Sequence, residues 1–451
     1  MGESFFRWSI HQSKSEVRIM LRKIKKALES TREISDWKVI ETIKEGHELY
    51  FIRQELDMNR AKNVSSYNVT VYRDFEEAGK KFRGSAQTTI HPGMSEGEVK
   101  KRIEESTFAA GFVKNRPYPI AEPSEAKGSI SSGLQKGEIS DWIVEIASEV
   151  FSQDTKKGAY LNSTEIYLTK VHTHILNSRG VDVQFDAVRA FIELIVTATG
   201  EEEVELYHQL RFSDYRPGSI SKKVTEFLEE ALNRAQAKPT PALGTAPVLL
   251  VSEPAEDFLS YYVDNASARA VYEKISTFKI GESVQGDFVS DGITITLDPF
   301  MPESYYSAPY DGDGFALNRE QIIVNGKLLK YWGDVRYSHY LGVEPTGNIH
   351  NFSVEPGKNT LETLREGPHL EVALFSAFNV DSVTGDFGGE IRLGWYCDGK
   401  ERYPITGGSI SGNINKVQKE LLLSKETQKS KRYTGPKAVK LLNVSVSGIN
   451  K

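Results

Sequence analysis

From Asp291 onward, short runs of alternating apolar and polar residues are cut repeatedly by glycine-bearing turns, which restricts this half of the chain to short strands. "DGITITLDPF", "EQIIVNGKLLKYW", "HLEVALFSAFNV" and "AVKLLNVSVSG" all follow that rhythm. Between Val383 and Ile414, Glu390, Arg392 and Gly394 fall on one face, with Ile391, Leu393 and Trp395 on the other. "DGK" at Asp398–Lys400 then supplies a tight turn. Such spacing predicts a curved or barrel-like antiparallel β domain, with glycine at its bends, and argues against a βαβ nucleotide fold.

The first half reads differently. Helical spacing runs through "EVRIMLRKIKKALES", "MSEGEVKKRIEESTFAAGFV" (with Ser95 as a cap), "SDWIVEIASEVFSQ" and "SKKVTEFLEEALNRAQAK". Strand patterns fill "SYNVTVYRD", "KKFRGSAQTTI" and the stretch from Asn162 to Gly200. "AEPSEAKGSISSGLQKG" has no periodicity and is expected to be a long mobile connection. The proline-rich "PTPALGTAP" marks a boundary near Lys238. The expected fold is α+β, with a mixed α/β domain over 1–238 and a β-rich domain over 239–451. The latter opens on the strand "VLLVS" and the helix "PAEDFLSYYVDNASARAVYEK".

With 451 residues and a formal charge of −6, the chain is long enough for two cores and is a poor general nucleic-acid binder. One cysteine excludes an intrachain disulfide framework. No signal-peptide apolar core and no membrane-length apolar run is evident, so the expected location is the cytoplasm.

Local motifs offer little chemistry. His172 and His174 have strand i,i+2 spacing and could supply two metal ligands, but no third is near; cross-strand hydrogen bonds or exposure are the simpler reading. "PYDGDG" at Pro309–Gly314 lacks the acid order of a calcium loop and suits carboxylates capping backbone donors. Cys397 has no sequence-local histidine to serve as base, and reads as a small, partly buried thiol. No phosphate loop, dinucleotide fingerprint or serine–histidine–carboxylate set is present.

A distributed pattern carries more information. "NSRG" at Asn177–Gly180, "STFKIGESV" at Ser276–Val284, the long run Ser307–Asn348, "VEPG" at Val354–Gly357, "TGDFGG" and "YPITGGSISGN" together resemble the TldD/PmbA family, in particular its PmbA (TldE) branch. The resemblance implies a mixed α/β N-terminal domain, a β-rich C-terminal domain and a link to peptidases. In the catalytic TldD branch an H-E-x-x-x-H helix and a later cysteine hold zinc, which polarises a peptide carbonyl and activates water. The matching region here, Ser252–Asn265, has Glu253, Glu256, Asp257 and Tyr261 but no histidine, and no cysteine follows in the C-terminal segment. Glu256 is expected to face water or cap local structure, and Tyr261 and Tyr262 to pack or line a peptide surface.

The resemblance therefore implies a subunit with no catalytic residues and no metal of its own, supporting a zinc-bearing TldD-like partner that cleaves unfolded or extended peptides. Gly385, Asp386, Gly388, Gly407 and Gly408 become candidates for a chamber or partner surface. The alternatives are a homo-oligomeric peptide-binding scaffold and a divergent peptidase with an unidentified metal site. The name "modulator of DNA gyrase" sometimes attached to the family does not make this acidic chain a direct reader of nucleic acid, and no membrane partner is implied.

Overall fold

Six long strands build the first half: β1 (Asp36–Ile52), β2 (Glu55–Glu77), β3 (Lys80–Ile90), β4 (Ala159–Asn177), β5 (Asp182–Thr199) and β6 (Glu203–Phe212). They form one antiparallel sheet in the order β3-β2-β1-β4-β5-β6. The structure, a computed structural model, describes residues 19–154, 157–200 and 203–449. β1 has no counterpart in the sequence reading, because three of its buried positions are Asp36, Glu41 and Glu48, which a hydropathy pattern assigns to solvent.

Strand parity determines which face the helices cover. Ile166, Leu168 and Leu176 of β4 and Val188, Ala190, Ile192 and Leu194 of β5 all point to one side. Against that side pack α1 (described over residues 19–30), α2 (Glu96–Ala110), α3 (Ile139–Phe151) and α4 (Ser219–Ala235). Residues 16–18 of the first expected helix lie outside the described residues. Ser95 caps α2 as its sequence suggests: its Oγ accepts from the Glu98 amide while Glu98 reaches back to the Ser95 amide. The opposite face carries Ile40, Ile175, Val183 and Phe185 and packs against Phe315 and Val335 of the second half.

The connection from Ala121 to Gly137 is irregular, as expected, but it is not loose. Ala121 and Leu134 are buried, Asn177 Nδ2 donates to the Ala121 carbonyl at 2.7 Å, and Ser124 Oγ accepts from the Ala316 amide at 3.1 Å. These long-range bonds satisfy backbone groups that composition alone would leave to water.

Lys238, near the expected boundary, lies in β7 (Lys238–Pro239), and a closed barrel follows. Its strands are β8 (Gly244–Val251), β13 (His369–Val380), β14 (Asp386–Cys397), β16 (Ser409–Asn413) and β20 (Ala438–Ser447). They pair in the order β13-β8-β20-β16-β14, and a further β13–β14 pairing closes the ring. β15 (Arg402–Thr406) extends from β14, with β7 beyond it, and β17 (Leu422–Leu423) pairs with β20. A second sheet holds β9 (Ile295–Leu297), β10 (Glu320–Val324), β11 (Lys327–Leu328), β12 (Phe352–Val354), β18 (Thr427–Lys429) and β19 (Tyr433–Pro436).

The barrel-like expectation holds, but not in being antiparallel throughout: β8 and β13 run parallel, as do β12 and β19. Parallel neighbours need a long crossover, and the whole stretch from α5 (Glu253–Asn265) to the residues before β13 supplies the first one. The helix expected over Pro254–Lys274 is two: α5 ends, Ser267 caps the Ala270 amide, and α6 (Ala268–Tyr272) starts anew.

Candidate functional site

The region matched to the family's catalytic helix begins where β8 ends. Val248 to Val251 are buried, and the chain then reverses at Ser252, whose backbone (φ 61°, ψ −125°) lies where non-glycine residues are strained. Two bonds hold that junction: the Ser252 amide donates to the Lys437 carbonyl at 3.0 Å, and Gln428 Nε2 donates to the Ser252 carbonyl at 2.8 Å. Pro254, with its fixed φ, then opens α5.

Two acids, Glu253 and Glu256, occupy the first helical turn, and a third, Asp257, follows directly. Glu256 faces neither water nor a cap, contrary to its expected place. It is 2% exposed, accepts from Ser430 Oγ at 2.6 Å, and pairs with Arg432 Nε at 3.2 Å. Burying a carboxylate is tolerated only with such partners, and both come from the loop between β18 and β19, more than 170 residues away. Glu253 stays exposed, 3.6 Å from Lys431 Nζ. Burial, then the charges of Glu253 and Glu256, push the Asp257 carboxyl up to about 7 against the opposing Lys431 and Arg432.

That shift has a sign that can be tested. An unfolded aspartate releases its proton near about pH 4, whereas Asp257 in the folded chain keeps it to about 7. Between those values the folded state binds more protons, so Asp257 lowers stability as pH rises. D257N is expected to flatten urea-unfolding stability between pH 4 and 7. It should gain about 1–2 kcal/mol at pH 8, a figure reduced for partial solvent contact. A pH profile parallel to that of the unsubstituted chain would refute this account.

Tyr261 and Tyr262 pack inward. Tyr262 Oη donates to Gln418 Oε1 at 2.8 Å, and Tyr261 meets Phe278 edge-on at 6.1 Å. A Cβ built on Gly385 would lie 3.5 Å from Tyr261 Oη, so the fold brings the end of α5 to the "TGDFGG" turn. There Gly385 has φ 75°, and Asp386 accepts from Asn413 Nδ2 at 2.8 Å. Gly388 lies opposite Ser411 within the barrel. Gly407 and Gly408 form a separate turn with φ of 71° and 68°, and a Cβ on Gly408 would stand 2.3 Å from the Ser447 carbonyl oxygen. Gly385, Asp386 and Gly388 thus lie at the entry to β14, apart from the Gly407–Gly408 turn.

The other candidates are tied up locally. His172 Nδ1 lies 2.8 Å from Asp186, while His174 lies 2.7 Å from Asp182 and 3.4 Å from Glu41, so each ring has its own carboxylate. Glu41, then Asp182, hold the His174 imidazole above its ordinary value despite burial. Asp311 caps the amides of Asp313, Phe315 and Asn348. Cys397 is half-buried and sits cross-strand from His369, a neighbour hidden from sequence because it lies on the partner strand. His369 Nδ1 lies 2.8 Å from the Gly367 carbonyl, and no hydrogen bond joins the ring to the thiol.

Zinc of the H-E-x-x-x-H kind does not fit this helix. α5 carries no imidazole or thiolate, and its buried carboxylate is already neutralised by Arg432. Among the described residues no group of three or more His, Cys, Asp or Glu side chains is arranged to hold a metal ion.

Residues 243–448 match the PmbA/TldA metallopeptidase C-terminal domain. A Methanocaldococcus jannaschii protein is 25% identical over 411 residues, 83% of this chain and 93% of its own. The metalloprotease PmbA of Escherichia coli O157:H7 is 29% identical over 183 residues, so the match spans 39% of this chain and only 40% of that protein. A zinc metalloprotease TldD homologue of Saccharolobus solfataricus is 26% identical over 288 residues, 59% of this chain and 64% of its own. The crystal structure of TldE from Thermococcus kodakarensis superposes with a TM-score of 0.74 at 18% identity, covering 96% of this chain and 100% of that one. The second half of the chain thus carries a C-terminal domain of the metallopeptidase-related PmbA/TldD kind. No helix among the described residues is long and apolar enough to cross a membrane.

Proposed function

We propose that this chain is a noncatalytic subunit of the PmbA (TldE) type, acting in the cytoplasm with a TldD-like partner that carries the zinc and hydrolyses unfolded or extended peptides. The carrying observation is at α5: where the resemblance calls for two imidazoles and a free glutamate, Glu256 is buried against Arg432 and Ser430. A guanidinium provides there the positive charge that a metal would otherwise bring, and a carboxylate so engaged is a poor base for water. In this reading the chain divides near Lys238, and the glycine turns at Gly385 and Gly407 shape the barrel rim that faces the partner or chamber.

The test is reconstitution. Untagged chain, a TldD-like protein from the same source and their mixture are assayed on unfolded peptides, with bound zinc measured for each. The expected result is chelator-sensitive hydrolysis from the mixture and substoichiometric zinc in this chain alone. Strong metal-dependent hydrolysis by this chain alone would establish a divergent peptidase instead. Self-association with peptide capture and no TldD-like companion would favour the scaffold alternative.

A further inference from the structure

On the sheet face opposite the helices, Arg189 of β5 stands at a position whose parity directs it toward the second half of the chain. It lines a cavity of about 200 Å³ together with Tyr305, Tyr306, Asn348 and His350. Arg189 Nη2 donates to the Ser307 carbonyl at 3.0 Å. Ser307 is itself fixed, because its Oγ accepts from Asn351 Nδ2 and donates to the Met301 carbonyl. Arg189 Nη1 is shielded from water yet has no hydrogen-bond partner, and no carboxylate among the described residues pairs with this guanidinium. A half-buried guanidinium with one sealed, unbonded nitrogen and no carboxylate partner is costly, so its retention calls for an anion.

The surroundings say which anion. The Tyr305 ring lies 5.3 Å from the Arg189 guanidinium carbon, Arg211 reaches the same ring at 5.6 Å, and Tyr306 stands 5.9 Å from His350. Asp311 is the acid in the cavity wall, but its oxygens are committed to three backbone amides. Burial, then Arg432 and Arg189, hold the His350 imidazole below its ordinary value, which fits a positive cavity. Beyond Arg189 the same sheet face continues into the stacked rings of Tyr167 and Phe191, 5.6 Å apart, with Arg211 4.0 Å above Phe191. One charged, forked donor at the end of an aromatic track suits a planar carboxylate attached to an extended chain.

We infer that this cavity seats the C-terminal carboxylate of a peptide, with Arg189 as its charge partner and Tyr305 and Tyr306 as walls for the last residue. The inference rests on the peptide-handling role proposed above, but its test does not require the partner subunit. A labelled tetrapeptide ending in phenylalanine is titrated into the isolated chain as the free acid and as the C-terminal amide, with anisotropy as readout. The acid is expected to bind about tenfold or more tighter than the amide, as for loss of a charge-assisted hydrogen bond. R189Q should erase that difference and R189K restore part of it, while the melting temperature of R189Q stays about level, because a half-buried cation without a carboxylate goes along with one hydrogen bond to the Ser307 carbonyl. Equal affinity for acid and amide, or unchanged acid binding by a folded R189Q, would overturn the site. Displacement of the peptide by free 3-phenylpropanoate at equal concentration would overturn the peptide assignment. Failure of reconstituted hydrolysis with acid-selective binding intact would count against the partner role alone.

Discussion

A chain stopped after Pro436 is expected to lose the protease-resistant core of its second half altogether. The deletion removes β20, whose Ala438, Val439, Leu441, Val444 and Val446 are all buried, and strips β8 and β16 each of one of their two neighbours, opening the ring. Each large apolar side chain withdrawn from a core costs roughly 2–5 kcal/mol. Several together exceed the roughly 5–15 kcal/mol that holds a domain folded. Limited proteolysis followed by mass spectrometry measures this directly. A resistant fragment spanning β8 to β16 in the shortened chain would show that the ring does not depend on its last strand.

The second large effect is expected at Asp36, in the first half. Its carboxylate is 2% exposed and accepts from Arg83 Nη2 at 2.8 Å, Arg179 Nε at 2.7 Å and Ser178 Oγ at 2.7 Å. D36A leaves Arg83, itself buried, with half of its acid partners, and breaking such a pair costs about 3–5 kcal/mol. R179A removes a side chain that is 55% exposed and should cost no more than about 1 kcal/mol. Burial pushes the Asp36 carboxyl up, but the bonds from Arg179 and Ser178 and the charge of Arg83 outweigh it and hold it below its ordinary value. A depressed carboxyl contributes stability that is complete above the unfolded value, near about 4, and is lost as pH falls through the folded one. Urea unfolding between pH 7 and 3 should therefore show D36A converging on the unsubstituted chain at the acid end. A constant gap across that range would assign the loss to packing instead of charge.

Asp36 also illustrates what sequence could and could not disclose. The Ser95 cap, the helical stripes and the alternation of the late strands are local patterns, and the fold keeps them. β1 escaped because Asp36, Glu41 and Glu48 occupy inward positions, where their partners are residues brought in by other strands or loops. Glu256 reads from sequence as facing water or capping local structure for the same reason: Arg432 and Ser430 are distant in the chain, and charge alone reads as exposure. Arg189 was visible as a polar residue at an alternating position, but the tyrosines that make its cavity come from a segment more than a hundred residues later. Family resemblance singled out the α5 region, whereas its neutralised acid could be seen only once the β18–β19 loop stood beside it.

The ring of β strands also sets a schedule for synthesis. β8 leaves the ribosome first, yet its pairing of Val248 with Leu441 must wait for a residue made about 190 positions later. At about 5–20 residues per second that interval is roughly ten to forty seconds. During that time β8, one of the most apolar segments of the chain, has a hydrogen-bonding edge with nothing to close it. Pairing at such sequence separation is slow for entropic reasons as well. The nascent second half is thus exposed to aggregation through the edge of β8 until β20 emerges.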